Sequence, residues 1–159
     1  MSSKLKVIDS MKENIVSSVE IMTYVHATED ESKVVRALEK LIPSNYRSLI
    51  KIEKSCSYGH YGNEIKIIKI KVQNNELASN VISHVVSMLD NLDKQIIKAS
   101  FEIRFEKSKL YLRINKQSLY LSKPHLDEGD DVVKIVIGLN KQKIKNLSSD
   151  KLLKELGID

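Results

Sequence analysis

Alternation of apolar and polar side chains is the feature that most limits how this chain can fold. Between Val19 and Ala27 one alternate set reads V, I, T, V, A, and the other reads E, M, Y, H. A period of two places these sets on opposite faces of a β-strand. Strand patterns recur at Leu49–Cys56, Ile65–Val72, Phe101–Phe105, Leu110–Ile114 and Val133–Leu139. In Ile65–Val72 the apolar positions change phase, which indicates either a central strand buried on both faces or a β-bulge.

Two longer segments have helical periodicity. Thr28 and Glu31 have the spacing of a capping box, and Pro43 limits the helix that follows, so a helix is predicted near residues 29 to 41. Asn74 or Asn75 is expected to cap a second helix that extends to about residue 92. Each has an apolar stripe for burial against a sheet. Short helices are expected near 116–122 and in the tail, around Leu152, Leu153 and Leu156.

The order of these elements predicts an α+β two-layer sandwich, with an antiparallel or mixed β-sheet and two main helices on one face. A single α+β domain is expected over residues 16 to 140. A polar lead over 1–15 and a basic C-terminal tail over 141–159, with a short helix, flank it. The side chains expected to share one core are Val34, Leu38, Val81, Val85, Phe101, Ile103, Leu112 and Ile135.

Composition favours a folded protein of the reducing cytoplasm. The 159 residues carry a formal net charge of +5, which is modestly basic and suits a polyanionic partner. Cys56 is the single cysteine, so no internal disulfide can form. Neither a signal peptide nor a membrane-spanning run of apolar residues is evident in the sequence.

Motifs for enzymatic chemistry are absent from the sequence. Phosphate-binding or dinucleotide-binding glycine motifs, a serine elbow and a complete set of metal ligands do not occur. We therefore expect no catalysis, no cofactor and no metal.

The segment GHYGN, with the tyrosine before it, combines side chains that suit unpaired bases. Tyr58, His60 and Tyr61 offer planar rings for stacking, and Asn63 can bond a base edge. Glycine and asparagine are also ordinary turn residues, so a bulged hairpin with Tyr61 packed on the first helix explains the segment equally well.

Basic residues follow this loop and recur near a later strand end. They are candidates for phosphate contacts, and the neighbouring tyrosine and glutamine for base contacts. The candidates are Lys66, Lys69, Lys71, Tyr111, Arg113, Lys116 and Gln117. The alternative for Arg113 is a solvated sheet face with an ion pair to Glu102.

Four segments, taken together, resemble the small archaeal proteins described as RNA-binding domains or predicted exosome subunits. They are TYVHATEDESKVVRAL (23–38), GHYGNEI (59–65), LYLRINKQSLYL (110–121) and DEGDDVVKIVI (127–137). The resemblance spans roughly residues 20 to 139. It implies a fold related to the ribosomal protein that binds 5S ribosomal RNA.

Two functional hypotheses follow from the sequence. The first is a non-catalytic RNA-binding accessory protein, associated with RNA processing or degradation by the archaeal exosome. The second is a protein–protein adaptor or homodimeric module without direct RNA contact. Basic residues clustered with Tyr61 and Arg113 favour the first hypothesis, whereas an exposed apolar patch favours the second.

Overall fold

The structure, a computed structural model, describes residues 14–159, so most of the predicted polar lead over 1–15 lies outside the described residues. Its centre is a six-stranded sheet with the order β2-β3-β1-β6-β5-β4, in which every neighbouring pair is antiparallel. The strands are β1 (Val16–Val25), β2 (Ile52–Tyr58), β3 (Glu64–Val72), β4 (Phe105–Glu106), β5 (Lys109–Asn115) and β6 (Val132–Leu139). The helices are α1 (Glu31–Glu39), α2 (Asn75–Met88), α3 (Asn91–Ala99), α4 (Phe101–Arg104), α5 (Lys116–Tyr120), α6 (Lys141–Ile144) and α7 (Ser149–Glu155), with a 3₁₀ turn at Ser44–Leu49.

The alternation read from the sequence sets the two faces of this sheet. Ile21 lies opposite Ile70 on β3 and Ile135 on β6, and all three are buried. Strand β3 pairs with β1 and β2 without a register shift, so the change of phase marks a strand with neighbours on both sides rather than a bulge. Ile68 points into the core, while Ile67 is half-buried on the other face.

Helices cover one face of the sheet, which confirms the two-layer α+β sandwich. Leu38 of α1 and Val85 of α2 are fully buried in the same hydrophobic cluster as Ile21. Burial of such side chains contributes about 1.5–3 kcal/mol each. Met22 and Val136, on the opposite face, lie outside that cluster. The described residues therefore leave one sheet face uncovered.

The ends of the predicted helices need correction. Helix α1 begins after Asp30, whose carboxylate accepts from the Ser32 amide, and not after Thr28. Glu31, the second residue of the predicted capping box, contacts Lys54 and Lys66 instead of reaching back to Thr28. Asn74 caps α2 as predicted. That helix ends at Met88, since the next residues start α3 rather than extend α2.

The strand predicted at Phe101–Phe105 is wrong, because most of that segment is helical. Asp90 caps α3, and Ile97, Phe101 and Arg104 are buried at helical spacing. Of the predicted strand, only Phe105 is extended, and it belongs to the two-residue β4. Its ring stacks on that of Phe101, with the ring centroids 5.1 Å apart. The apolar residues at 101, 103 and 105 alternate as in a β-strand, but the segment was also compatible with the 3.6-residue period of a helix.

Ile103 was expected in the core and is instead 86% exposed. Arg104 takes the buried position beside it, where its guanidinium bonds Glu128 at 2.8 Å and Ser100 at 2.6 Å. The other residues predicted to share the core are buried there.

The C-terminal segment packs on the domain. Leu152, Leu153 and Leu156 belong to the same hydrophobic cluster as the sheet, and Ile158 is fully buried. The predicted tail helix is α7, preceded by the short α6. Between residues 14 and 159, no helix has the length and apolar character needed to cross a membrane.

Candidate nucleic-acid interface

The uncovered face of the sheet gathers aromatic and basic side chains from neighbouring strands. Register places Met22 of β1, Lys134 of β6 and Arg113 of β5 in one row across the sheet. Tyr24 lies two residues further along β1, and Tyr111 lies two residues back along β5. We call these five residues the sheet-face cluster. Of these five residues only Arg113 and Tyr111 are predicted from the sequence, because local pattern does not show which strands lie beside β1.

Two cations lie directly opposite each other in this cluster. Arg113 pairs with Lys134 in the register of β5 and β6. Like charges in such a position destabilise a sheet. Lys134 Nζ lies 5.8 Å from the centroid of the Tyr24 ring, which is a cation–π arrangement. Arg113 Nη2 donates to the carbonyl of Gly129, and the alternative ion pair with Glu102 does not form.

Shallow depressions lie on either side of the Arg113–Lys134 pair. One, of about 230 Å³, is lined by Tyr24 and Met22 among others. The second, of about 290 Å³, is lined by Tyr111 and Met22. Arg113 and Lys134 border both depressions. Each depression therefore combines an aromatic ring with two cationic side chains and one carboxylate, Asp130 in the first and Glu20 in the second.

Lys69 and Lys71 extend the basic character of this face onto β3. Lys69 lies opposite Met22, and Lys71 opposite Glu20. Lys69 Nζ is 3.6 Å from a carboxylate oxygen of Glu20, whereas Lys71 is exposed and forms no ion pair within residues 14–159. These two lysines and Arg113 are the predicted phosphate contacts that share one surface.

Lys66 lies on the other side of the sheet. It is opposite Val25, whose side chain points into the core. Its ammonium is 3.3 Å from Glu31, which also bonds Lys54 at 3.0 Å. Bonds from Lys54 and then Lys66 lower the pKa of the Glu31 carboxyl below its usual value. The three lysines after the loop therefore do not form a single surface.

Lys116 is buried in the interior, with only 1% of the residue exposed. Its Nζ donates to the carbonyl of Tyr24 at 2.8 Å and lies 3.0 Å from carboxylates of both Glu29 and Asp131. Burial, the largest single influence, raises the pKa of Asp131, but the hydrogen bond and positive charge of Lys116, together with the bond from Gln117, outweigh it, so this pKa is lowered. Gln117, at the surface, bonds Asp131 at 3.5 Å. Lys116 thus fixes the backbone under Tyr24 instead of facing solvent.

Tyr120 lies beside this buried ion pair. Burial, and then the negative charges of Glu29 and Asp131, raise the pKa of its phenol. His26 joins the same two carboxylates in a group whose potential ligand atoms lie within 4.8 Å of one another. Because the Lys116 ammonium already contacts both carboxylates, we interpret the group as a structural ion-pair cluster.

A second group of this kind joins Asp90, Asp93 and His125. Asp93 is buried, and its carboxylate accepts a hydrogen bond from the Leu126 amide at 3.2 Å. The other carboxylate oxygen of Asp93 lies 3.0 Å from His125 Nδ1. Asp90 accepts from the Asp93 amide as the cap of α3. These bonds attach α3 to the segment before β6.

The loop between β2 and β3 is a tight turn with exposed rings. The Gly59 amide donates to Asn63 O at 2.8 Å, and Gly62 has φ of 78°, a conformation that favours glycine. Tyr61 is 95% exposed, so it does not pack on α1 as the alternative interpretation required. His60 meets it edge-on, with centroids 6.0 Å apart. Tyr58 is also exposed, and register places it on the helix side of β2.

A family model described as RNA binding matches residues 18–139 of this chain. The chain therefore belongs to this RNA-binding family.

Relatives support the same assignment over most of the chain. The uncharacterized protein MJ0213 of Methanocaldococcus jannaschii is 32% identical over 148 residues, covering 87% of this chain and 99% of that protein. The RNA-binding protein PAB1135 of Pyrococcus abyssi is 26% identical over 140 residues, covering 87% of this chain and 91% of that protein. The crystal structure of the DUF54 protein SSO0741 from Sulfolobus solfataricus is similar with a TM-score of 0.73 and 28% identity. The aligned region covers 88% of this chain and 97% of the SSO0741 chain.

Proposed function

We propose that this protein is a non-catalytic accessory protein that binds RNA. The observation that carries the proposal is that Lys69, Lys71 and Arg113 share the uncovered sheet face with Tyr111. Membership of the RNA-binding family and the name of the Pyrococcus abyssi relative give independent support. Lysine and arginine would contact phosphates, which gives affinity without sequence preference.

The other residues predicted to contact RNA differ in how accessible their side chains are. Tyr58 at the end of β2 and the loop residues His60 and Tyr61 are exposed, and so are the polar side chains Asn63 and Gln117. These side chains could stack on bases or bond their edges. Lys66 would have to leave Glu31 to reach a phosphate, and Lys116 would have to leave the interior. We therefore centre the phosphate contacts on Lys69, Lys71 and Arg113.

The cellular role proposed here is RNA processing or degradation together with the archaeal exosome, in the cytoplasm. Its support is the resemblance carried by the GHYGNEI and LYLRINKQSLYL segments and the usage of a single cysteine. The relation of the fold to the 5S RNA-binding ribosomal protein stays a prediction.

Filter binding across a salt series tests the proposal. The protein is titrated against a single-stranded RNA and its duplex at several salt concentrations. We expect the logarithm of the affinity to fall linearly with the logarithm of the salt concentration. On single strands the slope should be roughly −0.7 per phosphate contact. No binding to either RNA at low salt would contradict the proposal.

A protein–protein adaptor or homodimer is the second candidate, favoured by exposed apolar side chains on α3 and α4. Leu92 and Ile96 lie one turn apart on α3, and Ile103 follows on α4. Light scattering behind gel filtration checks self-association. A concentration-dependent dimer that Ile96→Lys and Ile103→Lys convert to monomer would support this candidate, whereas a monomer at all concentrations excludes the homodimer.

A further inference from the structure

The sheet-face cluster permits a more specific assignment than RNA binding in general. Building on the proposed function, we propose that single-stranded RNA lies across β1, β6 and β5, with bases stacked on Tyr24 and Tyr111 and its backbone between Lys134 and Arg113. Tyr24 and Lys134 are not among the RNA contacts predicted from the sequence. The β2–β3 loop is not part of this surface.

Charge is the first argument for a polyanion at this position. Arg113 and Lys134 are cross-strand neighbours, and neither forms an ion pair with a carboxylate within residues 14–159. Directly opposed like charges cost stability. A phosphate placed between them would turn that repulsion into two attractions. Lys71 lies on the same face and adds a further cation.

Incomplete hydrogen bonding of Arg113 is the second argument. Its Nη2 donates to Gly129 O, while its Nε is buried with no hydrogen-bond partner in the described part of the chain. A buried donor without a partner is costly. Guanidinium groups carry five donors in a planar fork that fits phosphate oxygens. A small rotation of the side chain toward a phosphate would satisfy donors that the protein leaves unused.

The placement of the two rings is the third argument and selects the form of RNA. Tyr24 and Tyr111 lie on opposite sides of the Arg113–Lys134 pair, four residues apart along the strands and two strands apart. Strand geometry puts their Cα atoms roughly 16 Å apart. The two tyrosine residues are 37% and 40% exposed, so each has accessible surface beside its depression. Bases in a duplex are stacked on each other and could not reach such rings, whereas unpaired bases could.

Lys116 contributes by holding the surface in place. Its Nζ bonds the Tyr24 carbonyl at 2.8 Å from inside the domain, so the end of β1 is fixed before RNA arrives. A pre-ordered contact surface loses less conformational entropy on binding.

Fluorescence anisotropy with a labelled 12-nucleotide single strand, and with the same sequence as a duplex, tests the assignment. Tyr24→Ala and Tyr111→Ala should each weaken single-strand binding by about 5- to 150-fold, because a stacked base is lost. Tyr24→Phe and Tyr111→Phe, which keep the ring, should stay within about twofold of the parent. Lys134→Ala should weaken binding more than Lys33→Ala, an exposed lysine on α1.

Two results would overturn the assignment and leave RNA binding standing. One is a parent protein that binds the duplex more tightly than the single strand. The other is a pair of folded alanine variants that bind the single strand as well as the parent does. A parent that binds neither RNA would overturn both the assignment and the proposed function.

Cross-linking keeps the assignment testable if an alanine variant fails to fold. Single-stranded RNA containing 4-thiouridine is irradiated with the parent protein, and the adducts are located by mass spectrometry. Adducts on peptides containing Tyr24 or Tyr111 are expected. Adducts confined to residues 58–63 or to the helix layer would overturn the assignment.

Discussion

Lys116 Nζ lies 3.0 Å from a carboxylate oxygen of Glu29, although the two residues are 87 positions apart in the chain. Asp131 completes the ion pair at 3.0 Å on the other side of the ammonium. Three separate segments therefore meet at one buried charge: the start of α1, the start of α5 and the start of β6.

Replacement of Lys116 by Met should destabilise the protein. The change leaves Glu29 and Asp131 without their cation, and removal of one partner of a buried pair costs about 3–5 kcal/mol when the other is fully buried. Because Asp131 is partly exposed, we expect a cost of about 2–3 kcal/mol. Urea unfolding measures it, with Lys33→Met on the exposed side of α1 as the control. A Lys116→Met protein as stable as the control would show that the pair is not a structural anchor.

Truncation of Leu38 should destabilise the protein much more than truncation of Ile103. Leu38→Ala removes a fully buried side chain from between α1 and the sheet and should cost about 2–5 kcal/mol. Ile103→Ala removes an exposed one and should change the free energy of unfolding by less than about 0.5 kcal/mol. Urea denaturation of both variants checks the expectation. A large loss at Ile103 would mean that the helical assignment of 101–104 is wrong.

The ion pairs of Glu31 should make stability depend on acid pH. The pKa of Glu31 is lowered in the folded protein, from an ordinary value of 4.5, by bonds from Lys54 and Lys66. A lowered folded pKa contributes stability above the unfolded pKa, and this is lost as pH falls through the folded value. Glu31→Gln should therefore melt slightly below the parent at pH 7, and the difference should shrink as pH falls below 4.5, the ordinary pKa of the carboxyl. A melting difference that does not shrink in acid would contradict this account.

Lys69 and Lys71 should govern the salt dependence of RNA binding. Replacement of both by Ala removes two phosphate contacts, and the slope of log affinity against log salt should flatten by about 1–1.5 on single strands. A double variant of Lys33 and Lys98, two exposed helix lysines, changes the net charge equally and is the matched control. Equal slopes for the two double variants would remove the uncovered face from the phosphate contacts.

Tyr61 tests whether the β2–β3 loop has a role beyond its turn. Tyr61→Ala should weaken RNA binding by about 1–3 kcal/mol if the ring stacks on a base, with little change in salt slope. Tyr61→Phe should bind as the parent does. Unchanged affinity of a folded Tyr61→Ala protein would assign the loop to turn formation alone.

The layers of the fold and most of its core follow from local sequence pattern. Period-two alternation around Ile21 and helical stripes through Leu38 and Val85 predicted the faces that are buried, because local periodicity reports which side of an element meets solvent. Where a segment fitted both periods, as at residues 101–105, local pattern could not decide between them. The bond from buried Arg104 to Glu128 and the capped start of α3 decided it.

Which residues share a surface depends on long-range contacts that local pattern does not contain. Strand order is set by long-range pairing, so the sequence could not show that β1, β6 and β5 are neighbours or that Arg113 lies opposite Lys134. From the sequence, Lys66 and Lys69 were equally good candidates for phosphate contacts. They are three residues apart on one strand, however, and an odd separation places two side chains on opposite faces of the sheet. Lys116 looked like a surface cation because charged side chains are rarely buried. Its burial depends on two carboxylates that only folding brings to it.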